Sequence, residues 1–296
     1  MEGLDYLEYN FNENNVLLLN IAVGIIMFGV ALGLQISDFK TVFKHPKQIL
    51  AGLLSQLLFL PILTLVIIHL VQPQASVALG MILISVCPGG NISNFMSSLA
   101  KANVALSVSL TAITSTIAIF FTPIGLACWG SMYEPAHNLL RVVELNYLDV
   151  LITVFFIIVV PLIVGMSIRQ SFEELAQRIE KVMKNLSILI FLGIVIFAVI
   201  SNIEPFIKYM PFVAGLVILH NLLAITVGFV TAKVFALKKS SVKTLMIETG
   251  IQNSGLGLAL IFTFFGGLGG MTLVAAGWGV WHIISGLVMS KIMSRI

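Results

Sequence analysis

The chain has 296 residues, of which 58% are hydrophobic and 10% are charged, and its formal net charge is +3. Soluble globular domains carry about 25% charged residues, so this composition excludes a water-soluble globule and indicates a polytopic membrane protein. The apolar runs are long enough for helices of about 20 residues and lack the alternation of a membrane β-barrel, so the predicted fold class is all-α. Cys87 and Cys128 both lie in apolar runs, which argues against a disulfide framework or a zinc site.

Nine apolar runs predict nine transmembrane helices. They follow residues 1–15, an acidic tail that lacks the basic region of a cleavable signal and is expected outside the cytoplasm. The predicted bounds are 16–34, 48–71, 76–100, 104–129, 147–168, 185–202, 211–235, 242–265 and 271–290. Residues 170–184 and 238–243 are amphipathic or basic and are expected at the inner headgroup surface. The glycine-rich residues 266–270 are predicted to form a tight external turn.

Basic residues predict the orientation of these helices. With the N-terminus outside and the C-terminus in the cytoplasm, only Arg141 and Lys208 of the 16 basic residues fall outside. Cytoplasmic loops are enriched in lysine and arginine, so the number of spans must be odd. We expect a multi-pass protein of the cell's inner (plasma) membrane, with the lipid bilayer and no nucleic acid among its partners.

Two of the predicted spans are interrupted by polar residues and glycines. In the third, residues 88–90 read Pro-Gly-Gly and precede Asn91, Ser93 and Asn94; a helix cannot continue there without losing hydrogen bonds. The eighth contains Glu248, the only acidic residue that we place deep within the membrane, because Asp149 lies at the start of the fifth span. A carboxylate at that depth is costly unless a cation or hydrogen-bond donors meet it, so Glu248 is predicted to be functional and to face a cation.

A weak internal repeat relates these two interrupted spans. Residues 51–53 and 214–216 both read Ala-Gly-Leu, and the same offset carries the third span onto the eighth. Equivalent spans are five apart, an odd number, so the two halves have opposite orientations. Inverted repeats are typical of secondary transporters, whose binding site lies near the bilayer midplane where the broken, crossing helices meet.

The residues beside Glu248 favour sodium as the cation. Sodium is a hard ion that prefers oxygen ligands, by the logic that applies to other hard cations. Gln252 follows Glu248 by one helical turn. The carbonyls of Thr249 and Ile251 would be free if the helix opens at this point, which would add two further oxygens.

A second set of oxygens comes from the third and fourth spans. Ser107 and Thr111 are one turn apart, which places two hydroxyls on one face of the fourth span. Each hydroxyl could instead bond back to the preceding turn. Together with Ser93, Asn94 and Glu248, however, they favour cation binding.

Several separated motifs resemble the bile acid:sodium symporter family, in the same order along the chain and from Gly24 to its end. They are Pro88-Gly89-Gly90 with Ser93 and Asn94, Ala105-Leu106-Ser107 with Thr111, the run from Glu248 to Gly255, and Trp281-His282. The resemblance implies two Na⁺ sites. The first would use Ser93, Asn94, Ser107, Thr111 and Glu248, and the second Gln56, Gln252, Glu248 and the carbonyls of Thr249 and Ile251.

The resemblance also implies an architecture and an activity. A core made from two repeats, residues 48–129 and 211–296, would move against a panel made from residues 16–36 and 147–202. The activity that the resemblance implies is sodium-coupled symport: the protein would import an organic anion, either bile-acid-like or a smaller carboxylate, by alternating access. We expect no enzymatic activity and a monomeric transporter.

The predicted substrate site follows from the absence of lysine and arginine in the core spans away from their ends, where Lys233 and Lys243 lie. Helix N-terminal amides and Asn253 or Asn91 would have to meet the substrate's carboxylate, beside Pro88 and Gly89. Asn91 stands where bile-acid-transporting relatives tend to have a small hydroxyl residue, and Ile283 stands where they have asparagine. These two departures indicate a different anion.

His220 and His282 lie within predicted spans, and two other functions are compatible with a polytopic membrane protein. His282 could line the substrate cavity, but a lone intramembrane histidine, like His220, more often bonds a neighbouring helix. A proton-coupled carrier or exchanger on the same fold would use Glu248 as the titrating group. An intramembrane protease is disfavoured, because the sequence offers no second intramembrane acid, no metal-ligand cluster and no evident activated nucleophile.

Overall fold

The described chain is built from helices. The computed structural model describes residues 4–6, 13–35, 45–90, 92–142, 147–200 and 203–295, and these ranges contain no strand. A short 3-10 turn, Leu4–Tyr6, precedes the helices. Their bounds are α1 (Glu13–Ala31), α2 (Pro46–Leu54, Ser55–Phe59 and Leu60–Val71), α3 (Ala75–Val86), α4 (Ile92–Leu99), α5 (Val104–Gly130), α6 (Glu134–Val142), α7 (Tyr147–Val154, Phe155–Val159 and Val160–Ser171), α8 (Glu173–Ile200), α9 (Ile203–Val234), α10 (Lys239–Gly250), α11 (Ser254–Phe264) and α12 (Gly269–Arg295).

The helices are those of a multi-pass membrane protein. Within the described ranges, six of them are long and apolar enough to cross a membrane, namely α1, α2, α5, α7, α9 and α12. The apolar helices α3 and α11 are shorter, and each is one part of an interrupted segment. The predicted interruptions are present: α3 ends at Val86 and α4 begins at Ile92, while α10 ends at Gly250 and α11 begins at Ser254.

Two helices change from α to π hydrogen bonding just before a proline. In α2 the amide of Leu60 bonds the carbonyl of Ser55 rather than that of Gln56, and α7 has the same arrangement before Pro161. Proline lacks an amide hydrogen, and its ring clashes with the carbonyl four residues earlier. The π turn ahead of Pro61 absorbs this conflict, and it contains Ser55 and Gln56, both of which are buried.

Three helices differ from the prediction. Helix α8 runs without interruption from Glu173 to Ile200, so the segment predicted to lie at the headgroup surface is largely the first part of the sixth helix. No proline or glycine separates its charged half from its apolar half. Helix α9 begins at Ile203, well before the predicted start, with Pro211 inside it. The short helix α6 was not predicted.

Close helix contacts hold these elements together. Helix α9 lies against α10 at Gly228, where a Cβ atom would come within 2.8 Å of the Met246 Cα. Helix α3 lies against α12 at Gly80, where a Cβ would be 2.8 Å from the Met271 Cα. Small residues allow this approach between membrane helices. The predicted glycine turn before α12 is also present, since Gly266 and Gly267 have φ of 58° and 71°.

Candidate cation and substrate site

The two interruptions lie against each other. The amide of Gly90 donates to the carbonyl of Ile251 (2.8 Å), and the amide of Asn253 donates to the carbonyl of Pro88 (2.9 Å). These bonds flank an isolated antiparallel bridge. A helix end leaves backbone groups without partners in its own helix, and here each interruption satisfies groups of the other.

The carboxylate of Glu248 lies beside this crossing and is fully buried. The hydroxyl of Ser93 donates to Oε1 (2.6 Å), and the hydroxyl of Thr111 donates to Oε2 (3.1 Å). Ser107 also donates to Oε1. Both carboxylate oxygens are therefore hydrogen-bonded, as a buried charge requires.

Asn94 completes this cluster. Its Oδ1 lies 2.9 Å from the Ser107 hydroxyl and 3.4 Å from the Thr111 hydroxyl, so each of these hydroxyls, which has one hydrogen, can donate either to Asn94 or to Glu248. The five residues predicted for the first cation site thus lie together, with Glu248 and Ser93 as the other two. Their hydroxyl hydrogens can rotate, so the same oxygens can turn lone pairs towards a cation.

Two residues predicted for the second site, Glu248 and Gln56, meet at Gly89. A Cβ atom on Gly89 would be 3.0 Å from Glu248 Oε2 and 3.6 Å from Gln56 Oε1. The buried Gln56 amide is thus close to the carboxylate, and its Oε1 has no hydrogen-bond partner among the described residues. The buried Oε1 of Gln252 also lacks one. An unpaired buried amide oxygen beside a carboxylate, with a second one at the crossing, fits a hard cation.

The carbonyls predicted to be free at this site have partners within the protein. Thr249 O accepts from Gln252 Nε2 (3.0 Å), and Ile251 O accepts from the Gly90 amide (2.8 Å). The expectation that they would be free is corrected: the crossing backbone and a neighbouring side chain satisfy them. Each carbonyl oxygen has two lone pairs and keeps capacity for a further ligand.

Two polar residues at the site were missed from the sequence. Ser55 and Thr249 hydroxyls are 2.7 Å apart and join α2 to α10. Asn221 of α9 donates from Nδ2 to the Gly250 carbonyl (2.6 Å). The available signal was a polar residue at membrane depth, directly before Gln56 in one case and directly after His220 in the other.

A cavity of about 380 Å³ adjoins the crossing. Gln252, Asn253 and Ser254 line it at the interruption, and His282 of α12 lines it nearby. On the opposite wall, α8 contributes Glu180, Ser187 and Phe191, and α1 contributes its last turns. The volume is in the range of small-molecule sites, and the wall mixes polar and apolar groups.

The predicted substrate residues fall in three places. Asn253 lines the cavity and caps α11, accepting from the Leu256 amide (3.0 Å). Pro88 and Gly89 lie in the crossing and are not among the residues that line the cavity, whose wall includes Gly90 instead. Asn91 lies outside the described residues.

The two intramembrane histidines differ. His220 Nε2 is 2.8 Å from the Thr64 hydroxyl of α2, so this histidine bonds a neighbouring helix, as lone membrane histidines commonly do. His282 is buried and stacks on Phe191 with ring centroids 6.2 Å apart. Neither of its ring nitrogens has a hydrogen-bond partner among the described residues, and it lines the cavity.

Comparison with known proteins gives the family. The model described as the Sodium Bile acid symporter family matches residues 20–209. The uncharacterized sodium-dependent transporter YocS of Bacillus subtilis (strain 168) is 32% identical over 277 residues, which make up 94% of this chain and 83% of that protein. The probable sodium/metabolite cotransporter BASS1, chloroplastic, of Arabidopsis thaliana is 27% identical over 276 residues, 93% of this chain and 66% of that protein.

A further relative is the sodium/bile acid cotransporter 5 of Rattus norvegicus, 26% identical over 254 residues, 83% of this chain and 55% of that protein. The chain thus spans most of YocS but less than two thirds of the plant and rat relatives. The family match covers well over half of the sequence. The chain belongs to the sodium bile acid symporter family.

Proposed function

We propose that the protein is a sodium-coupled symporter that imports an organic anion. The observation that carries this proposal is the buried Glu248 carboxylate, which lies where the two interrupted helices cross and is surrounded by oxygens of other helices. An unpaired anion at membrane depth is strongly unfavourable, so such a residue points to a cation partner. The names of the relatives, which include sodium-dependent and sodium/metabolite transporters, support sodium as that cation.

Two sodium ions would share the carboxylate. One would take Ser93, Asn94, Ser107 and Thr111 with Glu248. The other would take Gln56 and Gln252 with Glu248 and with the carbonyls of Thr249 and Ile251. The unpaired amide oxygens of Gln56 and Gln252 support the second site, which is the less evident of the two from hydrogen bonds alone.

Charge balance explains how an anion would bind without a basic side chain. Two sodium ions and one carboxylate leave a net charge of +1 at the crossing. A substrate carboxylate in the adjoining cavity would cancel it, so substrate and sodium would bind more tightly together than apart, and this coupling is reciprocal. The first turn of α11, with Asn253 and Ser254, and His282 would meet the carboxylate.

The transport step would be alternating access. The predicted nine-span topology with inverted repeats would put α1, α7 and α8 in a panel and the other membrane helices in a core. The contacts of α1 with α7 and α8 support this division. The cavity is lined by the last turns of α1, by α4 and by the first turn of α5, which the predicted topology places on the cytoplasmic side. The structure would then represent an inward-facing state of a monomer in the plasma membrane.

Sodium-dependent ligand binding and uptake test this proposal. Purified protein would be screened by thermal shift with and without sodium against bile salts, sulfated steroids and small acids such as pantoate. A compound that stabilises only with sodium would then be followed into proteoliposomes under an imposed sodium gradient. Uptake that ignores sodium and follows a pH gradient would overturn the proposal in favour of proton coupling.

A further inference from the structure

Asn221, a residue of the neighbouring helix α9, bonds the C-terminal end of the interrupted helix α10. Its side chain is fully buried in α9, and Nδ2 donates to the carbonyl of Gly250 at 2.6 Å. Gly250 is the last residue of α10, and the next residue, Ile251, is extended, with φ −119° and ψ 99°. Asn221 therefore bonds the peptide group at which the helix stops.

Three consecutive carbonyls at this point each have a different donor. A helix C-terminus leaves its last carbonyls without intrahelical amides. Thr249 O accepts from the nearby Gln252 side chain, and Ile251 O accepts from the backbone of the other interruption. Gly250 O, between them, accepts from Asn221 on a separate helix. The middle peptide group is thus held at its carbonyl by α9, and at its amide by the bond from Ile251 to the Ile247 carbonyl (3.0 Å).

We propose that Asn221 is a positioning residue for the second cation site. This inference rests on the proposed function and deepens it. Without Asn221 this peptide group would keep only its amide bond, and it could tilt because glycine has no Cβ to restrict its backbone. The carbonyls of Thr249 and Ile251 on either side would then lose part of their shared orientation. The hydroxyls of the first site come from α4 and α5 and do not depend on this peptide group.

A buried asparagine between helices can also serve only to hold the helices together. The chain offers a matched control for that role. Asn20 of α1, which is partly buried, donates to the hydroxyl of Thr263 in α11 at 3.2 Å, an interhelical side-chain bond at the end of α11 that faces away from the interruption. The same substitution at Asn20 and Asn221 separates loss of packing from loss of cation binding.

The experiment is a sodium titration of thermal unfolding in detergent, with choline replacing sodium to keep ionic strength constant. For Asn221→Leu we expect the sodium concentration for half-maximal stabilisation to rise about tenfold, which corresponds to about 1.4 kcal/mol. The Hill slope should fall towards one as the second site is lost. Asn221→Ser, which keeps a polar atom but cannot reach Gly250, should behave alike, while Asn20→Leu should lower the melting temperature without moving the sodium midpoint.

Two outcomes would overturn the inference in distinguishable ways. Folded Asn221→Leu or Asn221→Ser protein with an unchanged sodium midpoint and slope would reduce Asn221 to a packing residue and leave the proposed function intact. If the protein without substitutions gains no stability from sodium, the proposed function is wrong, and this inference is wrong with it.

Discussion

Replacing Glu248 with glutamine keeps the shape of the side chain and removes its charge. Because both proposed sodium sites share this carboxylate, both lose their only formal negative charge. Two unit charges about 4 Å apart attract each other by about 4 kcal/mol at an effective dielectric constant of about 20, which corresponds to about a thousandfold in affinity. Glu248→Gln should therefore show no sodium-dependent stabilisation over the range that stabilises the unchanged protein.

The sodium-free protein gives a second, independent readout. A buried carboxylate without its cation is unfavourable, so Glu248→Gln should unfold at the same temperature as the unchanged sodium-free protein, or higher. Glu248→Ala should instead unfold earlier, because it removes the buried acceptor that Ser93, Ser107 and Thr111 share, at a cost of about 1–3 kcal/mol for each group left unsatisfied. Both variants should lack uptake while remaining inserted in the membrane.

The assay is a sodium titration of the melting temperature, followed by uptake in proteoliposomes. Glu180→Gln is the matched control: this carboxylate is half-exposed, lines the cavity and pairs with Arg169 at 3.3 Å. It should keep the full sodium response. A titration of Glu248→Gln that overlays that of the unchanged protein would refute the assignment of Glu248 to the cation sites.

Three further predictions concern single residues around the crossing. Gln56→Ala should reduce transport more than sodium binding at the first site, seen as a lower Hill slope with stabilisation retained; an equal loss of both would argue against two separable sites. Gly89→Ala should weaken sodium binding and cost about 1–3 kcal/mol by overpacking, since its Cβ would lie 3.0 Å from Glu248 Oε2. Gly193→Ala, whose Cβ would meet nothing within 4 Å, is the control and should not weaken sodium binding or stability. Equal effects of the two glycine substitutions would contradict the role of Gly89. His282→Ala should abolish substrate-induced stabilisation and leave the sodium titration unchanged; a shifted sodium midpoint would place His282 in the cation site.

The features that sequence reasoning found are those that are costly at membrane depth. A Pro-Gly-Gly run cannot remain helical, and a lone carboxylate such as Glu248 cannot remain unpaired, so both features can be recognised from the sequence alone. The proximity of Ser93, Ser107 and Thr111 to that carboxylate followed from helical spacing and the family resemblance together.

What the sequence could not supply depends on contacts between distant segments. The carbonyls of Thr249 and Ile251 were expected to be free because their own helix ends, but their partners come from Gln252 and from the backbone of the other interruption. Asn221 lies in a regular helix, where an asparagine has no local signature of what it faces. The extent of α8 was missed because the change from a charged half to an apolar half was interpreted as a helix boundary, although no helix-breaking residue separates the two halves.

The crossing has a consequence for biosynthesis. Backbone groups near Pro88 find their partners only in residues that are translated more than 160 positions later. The early half of the chain must therefore enter the bilayer while these backbone groups still lack their hydrogen-bond partners. It reaches its final arrangement only when the late half has been inserted. We expect separately expressed halves to be degraded when alone and to rescue each other when produced together.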